Sequence, residues 1–154
     1  MAGVLVVGVE RRSHLLFAAA LAALTAGVLG ARDLLPLFTA MSLLGALIPD
    51  FDLGFRHRML LHNVFIGAAL AGLPLLAGVF LPVFPASMLW GLPLGFASHI
   101  FLDMATFQGV ALFYPLSRRR FRYARLRSTS RLANLAVEAI STLIFLYALM
   151  LNYA

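Results

Sequence analysis

His99 and Asp103 stand four residues apart in a stretch whose apolar spacing predicts a helix, so their side chains share one face and can reach a common ion. Asp50 and Asp52 follow Pro49. Proline disfavours helical geometry in the residue before it, which predicts that the preceding helix ends there. The two carboxylates then fall in a non-helical turn, where a spacing of two projects them in similar directions. His57 and His62 flank the start of the next apolar run, and His14 opens the first one. Imidazole with carboxylate oxygen is a ligand set for zinc, manganese or iron rather than calcium. With no cysteine in the chain, disulfides and thiolate ligands are excluded. The expected cofactor is one or two divalent ions, zinc first, with manganese or magnesium as alternatives. The expected ligands are His14, Asp50, Asp52, His57, His62, His99 and Asp103.

Such polar residues are rare here. Of 154 residues 62% are hydrophobic and 12% charged, and the mean hydropathy is +0.96, well beyond the roughly 45–50% apolar content of soluble domains. Long uncharged runs approach the roughly 20 residues that cross a hydrocarbon core. They predict an all-α, polytopic integral membrane bundle of about five transmembrane helices in one domain, residues 1–154. The spans fall near 14–30, 34–48, 62–82, 86–106 and 132–152. Val4 to Val9 is too short for the apolar core of a cleaved signal, so the N-terminus is expected to stay. No internal repeat or linker is visible.

Arginine supplies every basic residue, and its distribution tests the span count. If the spans alternate, Arg11, Arg12, Arg56, Arg58 and the seven arginines from Arg118 to Arg131 share one side, leaving Arg32 alone on the other. Short cytoplasmic loops collect positive charge. The expected location is therefore the inner (plasma) membrane, with a cytoplasmic N-terminus and an external C-terminus. All the candidate ligands fall on the arginine-rich side. Glu138 lies about 9 Å inside the fifth span at 1.5 Å per residue, and a carboxylate within a span is usually paired or functional. Taken singly, a terminal histidine also suits interfacial hydrogen bonding, and Asp50 and Asp52 also suit a turn. Their convergence at one membrane depth is what points to a site. The basic segment 114–131 interleaves Arg with Tyr, Phe and Leu, as a segment lying on anionic lipid headgroups would. A subset of the arginines could instead grip a phosphate. No nucleic-acid-binding signature accompanies the charge.

Three blocks, "LLGALIPDFD", "HRMLLHN" and "GFASHIFLDMATFQGVALFYPLSRRRFRY", resemble in order and spacing the predicted membrane-bound metal-dependent hydrolases, a family with LexA-regulated inner-membrane members. In that family an early His, a PDxD turn, an HR…H segment and a GxxSHxxLDxxTxxGV segment recur. Here they fall on His14; on Pro49, Asp50 and Asp52; on His57, Arg58 and His62; and on Gly95, Ser98, His99, Asp103, Thr106, Gly109 and Val110. Asn63 stands where many relatives have Ser. Glu138 lies outside these blocks. The resemblance implies a metal hydrolase and names no substrate.

The expected function is a membrane-embedded metal-dependent hydrolase at the cytoplasmic interface. Its substrate would be a phosphoester of a phospholipid or another lipid-like amphiphile, since a reaction centre at headgroup level suits a molecule that arrives laterally. Asp52 or Glu138 would act as general base, and Arg58 would steady developing negative charge. The rivals are a metal-ion or proton transporter and a non-catalytic scaffold stapled by metal. A transport path should continue across the bilayer, yet the far side offers only Arg32 and Asp33.

Overall fold

The computed structural model describes residues 11–52, 60–81, 85–127 and 130–153, and of Asp52 the backbone only. Five helices account for most of them: α1 Arg11–Val28, α2 Leu35–Leu47, α3 Val64–Phe80, α4 Gly91–Met104 and α5 Arg131–Tyr153. The described residues contain no strand, only isolated bridges. Local chemistry sets the helix ends. Gly30, with φ +64°, closes α1: Ala31 N–H donates to Ala26 O at 2.9 Å and Gly30 N–H to Gly27 O at 3.2 Å. This is the paired pattern that a left-handed residue makes after a helix. Pro36 occupies the first turn of α2, where its missing N–H costs nothing. Asn63 caps α3, its Oδ1 accepting from Phe65 N–H at 3.0 Å and Ile66 N–H at 3.1 Å.

Cross-helix contacts fix the directions. Arg11 meets Asp50 and Ser42 donates to Ala18 O, so α1 and α2 are antiparallel. Ser13 meets Glu138 at one end and Asn152 meets Ala23 at the other, so α1 and α5 are parallel. The start of α3 lies beside Leu112, which follows α4. The helices therefore alternate, with α1, α3 and α5 running one way and α2 and α4 the other.

The packing is inverted relative to a soluble bundle. Ala18, Ala20, Ala22, Ala23 and Ser13 on α1, Ser42 on α2 and Ser141 and Asn152 on α5 are buried, while Leu143, Tyr147 and Met150 on α5 and Leu75, Val79 and Phe80 on α3 are exposed. Small side chains inside and large apolar ones outside are what a lipid solvent selects, because lipid offers bulky residues no penalty and helix contact rewards close approach. Two helical stretches, Arg32–Phe51 of 20 residues and Arg131–Tyr153 of 23, are by themselves long and apolar enough to cross a membrane; Val64–Phe80 is apolar but shorter.

The first of these is longer than the span expected at 34–48. The α-helix ends at Leu47 with Ile48 as its cap, as Pro49 leads one to expect, but the turn that follows is not irregular: Ile48–Asp52 forms a 3-10 turn. The segment is not extended, so the parallel projection expected of Asp50 and Asp52 does not apply.

The tightest contact joins α2 and α4. A Cβ added at Gly45 would strike Leu92 O, and one at Gly91 or Gly95 would strike Phe38 O or Ser42 O. The backbones thus touch through GLPLG, a GxxxG arrangement. Gly95→Ala is expected to lower stability in detergent by about 1–3 kcal/mol through overpacking. Gly72→Ala, with no atom within 4 Å of the added methyl, should not, so equal thermal unfolding of the two variants would contradict the close approach.

Candidate metal centre

Alternating helices bring four termini to one end of the bundle. His14 comes from the first turn of α1, Asp50 from the 3-10 turn after α2, His62 from the residue before the Asn63 cap, and His99 and Asp103 from the last turns of α4. Asp103 is the hub. Its Oδ1 lies 3.6 Å from His14 Nε2, and its Oδ2 lies 3.3 Å from His62 Nε2 and 3.6 Å from His99 Nε2. His99 Nε2 is also 3.8 Å from Asp50 Oδ1. The His14 and His99 rings stack with centroids 3.9 Å apart, and His62 meets His99 edge-on at 5.5 Å. His62 is fully buried, and His99 and Asp103 are each 2% exposed.

These separations exceed the 2.7–3.2 Å of a hydrogen bond to nitrogen. They match donor atoms arranged about a common centre: with zinc–ligand bonds of about 2.0–2.1 Å, neighbouring tetrahedral ligands lie about 3.3–3.4 Å apart. One donor atom from each of His14, His99 and Asp103 lies within 4.8 Å of the others. Buried His99 Nδ1 has no hydrogen-bond partner among the described residues, so this imidazole is held by packing while Nε2 faces the carboxylates. The residues fit a divalent ion in geometry and donor type.

A second layer supports this centre. Arg11 Nε lies 3.4 Å from Asp50 Oδ2, steering the other oxygen toward His99. Ser13, adjacent to His14, donates to Glu138 Oε1 at 3.1 Å. Glu138 also lines a cleft of about 370 Å³ with Arg12, Arg131 and Asn134, and among the described residues neither arginine makes an ion pair.

The end of α4 is secured by the chain that follows. Thr106 Oγ1 donates to Asp103 O at 2.7 Å. Gly109, at φ +62° and too close to Phe121 O for a Cβ, turns the chain so that Val110 and Phe121 exchange hydrogen bonds at 3.0 and 2.8 Å. Tyr123 N–H donates to Met104 O and Leu126 N–H to Ala105 O, which satisfies carbonyls that a helix end leaves open. Partial burial pushes the Tyr123 phenol above its ordinary range, and it donates to Phe101 O. The arginine-rich segment is thus anchored to α4 through its backbone and tyrosine, with Arg118, Arg119, Arg125 and Arg127 exposed.

Of the expected ligands, the structure brings together His14, Asp50, His62, His99 and Asp103. His57 and Arg58 lie outside the described residues, as does the side chain of Asp52. Arg11 and Ser13 were not anticipated. Ser13 is buried on an apolar helix, which is a signal that its hydroxyl needs a polar partner, whereas nothing along the chain points exposed Arg11 to Asp50.

An all-helical bundle with a polar cluster at one end, two of its helical stretches long and apolar enough to cross a membrane, is the class this geometry defines. The chain belongs to the family described as YdjM inner membrane protein, which it matches over residues 9–154, and so to a family of inner membrane proteins. It matches no curated protein and no solved structure.

The Asn63 cap sets the position of His62. Asn63→Ala should cost about 1 kcal/mol in thermal unfolding. Asn63→Ser keeps the cap, gives up the donation to Leu60 O, and should cost a fraction of that; equal losses would show that the cap is not what Asn63 supplies.

Proposed function

We propose that this protein is a metal-dependent hydrolase embedded in the inner membrane as a five-span bundle. Its site would lie at the cytoplasmic interface and act on a phosphoester of a phospholipid or a similar amphiphile. The observation that carries the reading is a buried carboxylate, Asp103, with three imidazole nitrogens at 3.3–3.6 Å. An intramembrane carboxylate costs on the order of 2.5–3.5 kcal/mol, a cost that purely structural hydrogen bonding could avoid with neutral residues.

His14, His62, His99 and Asp103 would hold a divalent ion, zinc by donor type, with Asp50 at its edge and His57 and Asp52 as further expected ligands. When bound, such an ion supplies a nucleophile from water near neutral pH and Lewis acidity toward a phosphoryl oxygen. The protein's own groups do the rest. Ring stacking of His14 on His99 fixes two donors, and Arg11 fixes Asp50. Glu138, which accepts from Ser13 one residue before His14, is the candidate proton acceptor together with Asp52. Arg12 and Arg131 bring positive charge to the adjoining cleft, which favours an anionic headgroup, as would Arg58.

The opposite end supports an enzyme over a transporter. Its hydrogen-bonded polar groups are neutral: buried Asn152 donates to Ala23 O and Ala148 O, and partly buried Thr25 to Leu21 O. That leaves no chain of ionisable groups across the bundle among the described residues.

Protein purified in mild detergent should contain stoichiometric zinc, manganese or magnesium by elemental analysis, and His99→Ala with Asp103→Ala should lose it. Absence of metal from the wild type would end the reading. Glu138→Gln and Asp52→Asn should retain the fold. At least one should slow hydrolysis of lipid phosphoesters by roughly 10²–10⁴-fold, the range of a lost general base. Full turnover in both would remove Glu138 and Asp52 as general base, and a metal-loaded wild type without any turnover would leave a metal-stapled scaffold.

A further inference from the structure

We infer, resting on the hydrolase reading above, that the groove between α3 and α4 seats one acyl chain of a glycerophospholipid whose headgroup reaches the His–Asp cluster. The groove encloses about 440 Å³. Its lining is apolar except for Asn63, whose side chain is already engaged in capping α3. Asn63 and Met104, next in the chain to the site residues His62 and Asp103, line one end of it, and it runs along α4 as far as Pro93. Phe96, Ile100 and Met104 line it, and at about 100° per residue their stripe lies roughly a quarter turn around α4 from His99 and Asp103. Headgroup site and groove are therefore adjacent faces of one helix.

Dimensions select the occupant. From Met104 to Pro93 the groove extends about 16 Å at 1.5 Å per residue, close to half of a hydrocarbon core about 30 Å thick. That is the depth of one leaflet. A single extended acyl chain runs this length within about 440 Å³, and a partner helix laid across the open face is told apart from it by the cross-linking outcome below. The wall on α3 is bare at Gly67, where an added Cβ would lie 3.2 Å from the Phe96 ring. Rim residues Val64 and Phe101 are exposed, leaving the groove open sideways to lipid.

The test uses full-length protein in phosphatidylcholine vesicles containing phosphatidylglycerol with a diazirine in one acyl chain. Photolabelled peptides are mapped by mass spectrometry, and bound metal is measured on the same preparation. Labelling should concentrate on Gly67, Phe96, Ile100 and Met104 over the exposed face of α5, at Leu143 and Tyr147. Gly67→Leu and, from the opposite wall, Ala97→Leu should each reduce it about fivefold, equivalent to about 1 kcal/mol, with metal content unchanged. Even labelling of α3, α4 and α5 in the wild type would mean only bulk lipid touches this face and would overturn the inference without needing either variant. So would cross-linking to a second copy across the groove. Groove labelling in protein that carries no metal would instead remove the hydrolase reading and, with it, the headgroup half of the inference.

Discussion

Burying Asp103 is the constraint around which the rest of the molecule is arranged. A carboxylate in an apolar bundle has no water to solvate it, so the protein must bring partners to it. The partners are imidazoles from three different helix termini. No one helix can supply them, because residues within hydrogen-bonding reach on one helix are limited to neighbours three and four away, a position that His99 alone fills. Convergence of α1, α3 and α4 is therefore required by the chemistry of a single side chain.

That convergence depends on how closely the helices approach. α2 and α4 meet backbone to backbone through Gly45, Gly91 and Gly95, and α1 offers a run of buried alanines to its neighbours. In lipid there is little hydrophobic drive for helices to associate, so contact must come from dispersion between closely packed small residues and from hydrogen bonds such as Ser42 to Ala18 O. The small-residue interior and the polar cluster are two consequences of the same solvent. The first lets helices come near; the second gives them a reason to remain in one register.

The arrangement also separates two environments on α4. One face carries the polar cluster and the adjoining face an apolar groove, with the last turn held by the returning arginine-rich segment. An amphiphile presents the same division of polar head and apolar tail, which is why the proposed chemistry and the proposed acyl-chain seat reinforce each other while resting on different residues.

Much of this was legible in residue order alone. Five apolar helices, their alternating direction and the gathering of His14, Asp50, His62, His99 and Asp103 at one end follow from hydropathy, arginine bias and the i,i+4 spacing of His99 and Asp103, since each is a one-dimensional property. The end of α2 before Pro49 followed as well, but the 3-10 turn that carries Asp50 did not, since local rules predict only that the α-helix stops and packing against α2 and α4 decides what the chain does next. The pairing of Arg11 with Asp50 and of Ser13 with Glu138 was likewise decided by tertiary structure, because ion pairs and hydrogen bonds form between residues that helix packing makes neighbours, and that distance is not encoded in spacing along the chain. The groove between α3 and α4 belongs to the same category. Its residues are ordinary apolar ones, and what makes them a site is the space that two particular helices leave between them.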